Sequence, residues 1–290
     1  MKKIYFIFCL FFCVFFCRPG LGIEVKDIIQ RGELRHLAVP YANFNLGDNT
    51  GFCLDLIRAF AKDLGVKYKY VPSSWETILD DLVGRKILFA NKQVIIGDVV
   101  QIRGDIIATG FTILDWRKEV VLFSEPTFPT QVWLVGKFDS DLKPIKPSGN
   151  EEYDIQRTLT LVKGRRVLGK RGTCLDPSLY KLSQKGAICE DFAGNVNDIA
   201  GVVLKGDVEL AILDVPDVLV ALRKWPGQLK VLGPISKRQY MGCAFNKHSI
   251  ELRNRFNSFL HRIKERGLYL ELVKKYFPDA IYYFADFFKF

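Results

Sequence analysis

Short apolar runs alternate with stretches of helical spacing along most of the chain, which predicts repeated strand–helix units. Leu34–Val39 reads as a first strand, with Pro40-Tyr41-Ala42-Asn43-Phe44 leaving its end and Asn45–Gly51 as a polar turn. Cys53, Leu56, Ile57, Phe60 and Leu64 fall on one helical face, closed by Gly65 where a left-handed residue is favoured. Val66–Val71 is the next strand, and Ile78, Leu79 and Leu82 mark a helix ending before Gly84. Val94–Val100 predicts a hairpin within Ile87–Arg103, with Gly97-Asp98 at its turn. Asp105–Ala108 and Val120–Phe123 follow as buried strands, and Pro126 and Pro129 punctuate a connector into Gln131–Val135. The opening is therefore an α/β lobe with a mostly parallel sheet. Ligands of such sheets bind beyond the strands' carboxyl ends, so Tyr41, Trp75 and the Thr109–Arg117 loop converge on one edge.

The second half repeats the pattern. After a polar approach over residues 138–160, strands are expected at Arg166–Gly169, Ala187–Glu190, Glu209–Leu213 and Lys230–Leu232. Helices are expected after Arg171-Gly172-Thr173-Cys174, near Val196–Leu204, and from Val215-Pro216-Asp217 onward. Gly242–Phe245 then returns to the first lobe as a strand, followed by the amphipathic Leu252, Phe256, Phe259, Leu260 and Ile263. The fold class is thus α/β with two lobes, each a mostly parallel sheet flanked by helices. Residues 23–132 plus 240–290 form the first lobe and 133–239 the second. Two crossings, near Thr130–Val135 and Ser236–Met241, make a two-strand hinge about which the lobes close. The aromatic end, Tyr276-Phe277-Pro278 and Ile281–Phe290, reads as a last helix packed on the first lobe.

Composition refines this picture. A chain of 290 residues with 49% hydrophobic content exceeds one compact lobe. Met1-Lys2-Lys3 and the uncharged run Ile4–Cys17, ending in Gly20-Leu21-Gly22, are a basic start, an apolar block and a small-residue cleavage site. Residues 1–22 are expected to be a secretory signal peptide, giving a periplasmic or extracellular protein. A lipid anchor at Cys17 fits less well, because Phe15 and Phe16 precede it. The net charge of +10 is scattered over pairs such as Arg165-Arg166 and Lys237-Arg238. No basic run alternates with aromatics, so nucleic acid is not an expected partner. Cys53, Cys174, Cys189 and Cys243 remain outside the leader, with spacings unlike zinc sites, and a Cys174–Cys189 disulfide is conceivable. His36, His248 and His261 are isolated, so neither a metal nor a cofactor is expected.

The chemistry concentrates between Gly104 and Lys137. Gly110 lets a ligand approach the backbone, Thr112 supplies a hydroxyl, and Arg117 follows five residues later. A guanidinium and a hydroxyl fixed beyond a strand end make a carboxylate receptor, the planar fork matching two oxygens. Gly51-Phe52, Leu54-Asp55-Leu56, Leu64-Gly65-Val66, Trp75, Thr112, Arg117 and Phe123-Ser124-x-Pro126 occur in order. In this the chain resembles the extracellular solute-binding proteins of family 3, the amino-acid receptors of ABC importers, over nearly all of its length after the leader. That resemblance implies a periplasmic binding protein of type 2 that holds an amino acid or similar zwitterion. It implies that Thr173 and the Cys174 backbone N–H meet the ligand carboxylate from the second lobe, and that Asp214 meets the ammonium. Tyr41 and Trp75 would wall the ligand, and an ABC permease would be the partner of a monomer. Asp214 also suits an ordinary helix cap.

Two departures stand out: the Ile87–Arg103 insertion, and Trp116 where the family commonly has Glu. The aromatic end resembles the segment closing the solute-binding domain of the membrane-bound lytic murein transglycosylase F group. This raises a second reading, a regulatory or sensory module for cell-wall peptides without a catalytic domain. A lyase on the same scaffold, of the cyclohexadienyl dehydratase kind, would need a cleft acid or base, for which only Asp214 and Asp115 offer themselves. The chain is therefore expected not to be an enzyme.

Overall fold

The computed structural model describes residues 22–90 and 93–289. The expected leader and Cys17 lie outside the described residues, Gly22 excepted. The chain runs α1 (Val25–Arg31), β1 (Glu33–Ala38), α2 (Phe52–Asp63), β2 (Lys67–Pro72), α3 (Ile78–Val83), β3 (Arg85–Ala90) and β4 (Gln93–Val99). It continues through β5 (Ile106–Ile107), α4 (Asp115–Lys118), β6 (Val121–Phe123), β7 (Phe128–Thr130), β8 (Val132–Lys137), α5 (Glu151–Thr160), β9 (Arg166–Gly169) and β10 (Ile188–Asp191). Then come α6 (Ile199–Lys205), β11 (Leu210–Asp214), α7 (Val215–Lys224), β12 (Leu229–Pro234), β13 (Gln239–Met241), β14 (Ala244–Asn246), α8 (Ile250–Glu265), α9 (Leu268–Tyr276) and α10 (Ala280–Tyr283).

Two five-stranded sheets result, in the orders β2-β1-β5-β14-β6 and β10-β9-β11-β8-β12. In the first, β1 runs parallel to β2 and β5, while β14 returns antiparallel. In the second, β9 runs parallel to β10 and β11, while β8 is antiparallel to β11 and β12. Between the sheets β7 and β13 pair antiparallel, Gln239 opposite Thr130, as a two-stranded ribbon. Two lobes joined by two strands therefore form as expected.

The hairpin of the inserted segment exists as β3 and β4, but its reversal lies elsewhere than expected. Ala90 pairs with Gln93, and Gly97-Asp98 lies inside β4. Alternation alone placed the turn at the Gly-Asp pair. The pairing register, with Leu88 opposite Ile95 and Phe89 opposite Val94, settled it earlier. The helix expected after Cys174 is also different. The chain there makes two single 3₁₀ turns, Pro177–Tyr180 and Leu182–Lys185, the first capped by Asp176. The disulfide does not form: Cys53, Cys174, Cys189 and Cys243 are all free thiols. Cys174 is buried beside Asp214, whereas Cys189 sits against Ser183.

The aromatic end is packed more widely than a last helix on one lobe would be. Phe277 enters the first lobe's core, its ring 4.6 Å from Phe44 and 4.9 Å from Phe128. Beyond it Asp279 pairs with Arg223 of α7 at 2.6 Å, and Tyr283 meets Trp133 of β8. Asp286 pairs with Arg238 beside β13. The last dozen residues thus reach from the first lobe across to the second.

Two buried polar groups fix the first sheet. Asp105, its side chain fully buried, accepts from the guanidinium groups of Arg31 and Arg35 and from the Arg35 backbone N–H, at 2.8 Å in the last case. His36 lies fully buried in β1, with Nε2 2.6 Å from the Ala108 carbonyl oxygen. Donation there leaves Nδ1 to accept from the Tyr68 hydroxyl at 2.9 Å. Burial pushes its pKa down to about 4.

Asp105→Ala leaves two guanidinium groups and a backbone donor without their acceptor. It should lower unfolding free energy by about 3 kcal/mol, read as a reduced urea midpoint. Between pH 6.5 and about 4 the unfolded chain takes up a proton that folded His36 refuses, so stability falls by about 3 kcal/mol across that window. Stability measured against pH should be flatter over this range in His36→Gln than in the wild type.

Candidate functional site

The carboxyl ends of β1 and β5 and the amino end of α7 face each other across the gap between the lobes. Tyr41 leaves β1; Gly110 and Thr112 follow β5; Arg117 stands on the single turn α4. From the second lobe come Thr173 and Cys174, beyond β9, and Asp214, the last residue of β11. Tyr41, Trp75, Gly110, Thr112, Arg117, Thr173 and Cys174 line one cavity, together with Leu175 and Val196. Asp214 stands behind it, accepting from the Tyr41 hydroxyl, with the Cys174 Sγ 3.7 Å away. Gly110 has φ +65, and a Cβ there would lie 2.5 Å from the Phe44 ring and 2.9 Å from Tyr41, so no larger residue fits.

Arg117 is among the largest fully buried side chains of the protein. Its Nη1 donates to the Thr112 carbonyl and its Nη2 to the Gly172 carbonyl, each at 2.9 Å, so one guanidinium grips both lobes. The Phe111 ring lies beneath it, 3.9 Å from the guanidinium carbon. Its Nε has no hydrogen-bond partner among the described residues, nor has the Trp75 Nε1. Burial lowers the Arg117 pKa to about 10, which still leaves it cationic at neutral pH.

Trp116, the unexpected neighbour, does not disturb this arrangement. It stacks on Phe89 of β3, centroids 4.7 Å apart and planes 11° from parallel, and its ring centre lies 5.3 Å from the Arg117 guanidinium carbon. The hairpin thus supplies the ring that covers the indole.

Asp214 caps α7, accepting from the Asp217 backbone N–H at 3.2 Å. Burial raises its pKa to about 6, against the bonds from Tyr41, Asp217 and Cys174. Asp217, one turn on, is raised by burial and then by the charge of Asp214. Burial keeps Tyr41 protonated and hence a donor. Cys174 is pushed far up by burial, opposite to what a nucleophile requires. Asp115 has its side chain 97% exposed and paired with Lys118, so it offers no cleft acid.

Two cross-lobe contacts, and one within the second lobe, had no signal in the sequence. Glu76 of the first lobe pairs with Lys170 of the second at 3.0 Å. The Ala42 backbone N–H donates to Asn197 Oδ1 at 2.8 Å, and Tyr180 donates to the Cys174 carbonyl beneath the site. None belongs to a periodic pattern or a motif. With the lobes drawn together in this way, the cavity offers about 10 Å³ to water, room for about one molecule. Among the described residues no group of His, Cys, Asp and Glu is placed to hold a metal.

The folded pKa of Asp214, about 6, lies above the ordinary 3.8, so its contribution to stability is intact below 3.8 and is lost as pH rises through 6. Asp214→Asn keeps an oxygen for the cap and removes the buried charge. It should exceed the wild type in stability by about 2 kcal/mol at about pH 8, with the gain gone by about pH 3.5, in urea titrations at both values.

Comparison with known proteins places this geometry. The chain is 26% identical over 229 residues to the membrane-bound lytic murein transglycosylase F of Desulfosudis oleivorans, covering 78% of this chain but only 44% of that protein. It is 24% identical over 234 residues to the arginine-binding periplasmic protein of Mannheimia haemolytica, covering 79% of this chain and 83% of that one. A solved structure, the putative binding component of an ABC transporter from Wolinella succinogenes complexed with lysine, superposes with a TM-score of 0.69 at 28% identity. That match covers 86% of this chain and 97% of the other. The model of one family matches residues 90–279, well over half of the chain. The protein belongs to the bacterial extracellular solute-binding proteins, family 3.

Proposed function

We propose that the protein is an extracytoplasmic receptor whose lobes close over a small α-amino acid or similar zwitterion, for delivery to an ABC permease. The observation that carries this reading is the buried guanidinium of Arg117, bonded among the described residues to two carbonyls, one in each lobe, with its Nε unsatisfied there. Carbonyls are weak partners for a guanidinium; a carboxylate bound bidentately is a strong one. In this role the ligand carboxylate displaces the Gly172 carbonyl from Arg117, and Thr112, the Gly110 N–H and the Thr173–Cys174 turn complete its oxygens. The ligand ammonium takes the place of the Tyr41 hydroxyl on Asp214, giving that buried carboxylate a full counter-charge. Tyr41 and Trp75, edge to face at 5.4 Å, wall the ligand and exclude water.

Two bonds are therefore exchanged rather than created, and the closed form gains only what the ion pairs add over them. Micromolar binding requires about −8 kcal/mol, within reach of one desolvated zwitterion. The relatives named for arginine binding and complexed with lysine support the amino-acid class. The transglycosylase F similarity supports a second reading, a binding module for cell-wall peptides, since that relative is more than twice the length of the matched part.

Calorimetry of the mature protein against amino acids and muropeptides separates the two readings. For the amino acid that binds, Arg117→Ala should weaken affinity at least about a hundredfold, or about 3 kcal/mol. Unchanged affinity in that variant removes the carboxylate role.

A further inference from the structure

The reading above spends Arg117 on the ligand carboxylate and Asp214 on its ammonium. The rest of the cavity wall decides which side chain the ligand carries, and that rest is apolar. Tyr41 and Trp75 line it from the first lobe, Leu175 and Val196 from the second. Tyr41, Leu175 and Val196 are buried. The indole of Trp75 is packed on two sides, edge to face with Tyr41 and parallel to Phe111, whose ring centre lies 6.4 Å away. Rings packed in this way leave the wall little room to rearrange.

The charged groups of the neighbouring segments lie outside this wall. Glu76, next to Trp75 in the chain, has a side chain 64% exposed and is paired with Lys170. Lys170 also donates to the Phe192 carbonyl at 3.3 Å. Asp176, next to Leu175, accepts from the Ser178 backbone N–H at 2.9 Å as the cap of a 3₁₀ turn. Asp198, two residues after Val196, is exposed. Asp217 stands one turn beyond Asp214 on α7 and is not among the residues lining this cavity. The Cys174 thiol, kept protonated by burial, adds no charge. A charged side chain entering here loses its water and meets no opposite charge, which is costly. An apolar one gives up only water that it holds weakly, and packs against carbon on both sides.

We infer that the receptor selects an α-amino acid with an apolar side chain over basic and acidic ones, and that Trp75, Leu175 and Val196 set this preference. The inference rests on the roles proposed for Arg117 and Asp214. Trp75 belongs to one lobe and the other two residues to its opposite, so the ligand side chain is covered only when the lobes meet. Closure is thereby the step that discriminates.

Calorimetry of the mature protein near neutral pH, with L-leucine, L-phenylalanine, L-glutamine, L-arginine, L-lysine, L-glutamate and glycine as probes, tests this. Leucine or phenylalanine should bind most tightly, with the three charged amino acids weaker by more than about tenfold. A charged amino acid within about tenfold of the better apolar one overturns the inference and leaves the roles of Arg117 and Asp214 standing. Glutamine binding more tightly than both also overturns it, by revealing a polar partner in the wall. If none of the seven binds, the inference falls together with the reading on which it rests. Trp75→Ala should weaken the better apolar ligand by more than about tenfold and glycine, which has no side chain, by less than about twofold. An equal loss for glycine, or no loss for the apolar ligand, removes Trp75 from this role. Should that variant fail to fold, the wild-type series alone decides.

Discussion

The arrangement depends on a guanidinium kept out of water. Removing an arginine head from solvent is costly unless each donor finds an acceptor, and the chain meets that demand for Arg117 in part, with carbonyls from opposite sides of a gap. Those carbonyls belong to Thr112 and Gly172, so both bonds are made only when the two lobes are together, and Nε is left without a partner among the described residues. The Phe111 ring beneath it and the aromatic pair Tyr41 and Trp75 beside it keep the surroundings apolar, which strengthens every charge interaction there. Asp214 stands under the same constraint with the opposite sign. It is buried at the start of α7, partnered by a hydroxyl, a backbone N–H and a thiol, none of them charged. Two buried, opposite charges are thus each held by neutral partners within one site.

Much of this was legible in the residues themselves. The two lobes follow from apolar runs separated by helical stretches, and the strands fall within a residue or two of where those runs lie. Thr112 and Arg117 stand out through the ordered series from Gly51-Phe52 to Phe123-Ser124-x-Pro126 in which they sit, since a Thr followed five residues later by an Arg is common by itself. What the chain order could not convey was pairing. The hairpin's register sets Phe89 opposite Val94, and Phe89 stacks on Trp116, a residue outside the hairpin that its own alternation does not reveal. The thiols of Cys174 and Cys189 lie in one lobe, yet they serve different surroundings, one against a carboxyl group and the other against Ser183. Glu76, Lys170, Ala42 and Asn197 meet only because the lobes have closed, so no local pattern marks them.

The inserted hairpin shows how a departure in one place is absorbed in another. Trp116, next to Arg117 in the chain, has Phe89 of the hairpin stacked over it at 4.7 Å. The indole is buried and the guanidinium beside it keeps its direction. On the face away from Phe89, the paired Leu88 and Ile95 are both exposed.

Because Asp279 and Tyr283 bind the second lobe while Phe277 is anchored in the first, the aromatic terminus is a tether laid across the moving joint. Any swing of the lobes that parts Arg223 from Asp279 must also peel a ring from Trp133. The ease of that swing is consequently written into a terminal segment that lines none of the Arg117 cavity, one ring removed from Tyr41 through Phe44.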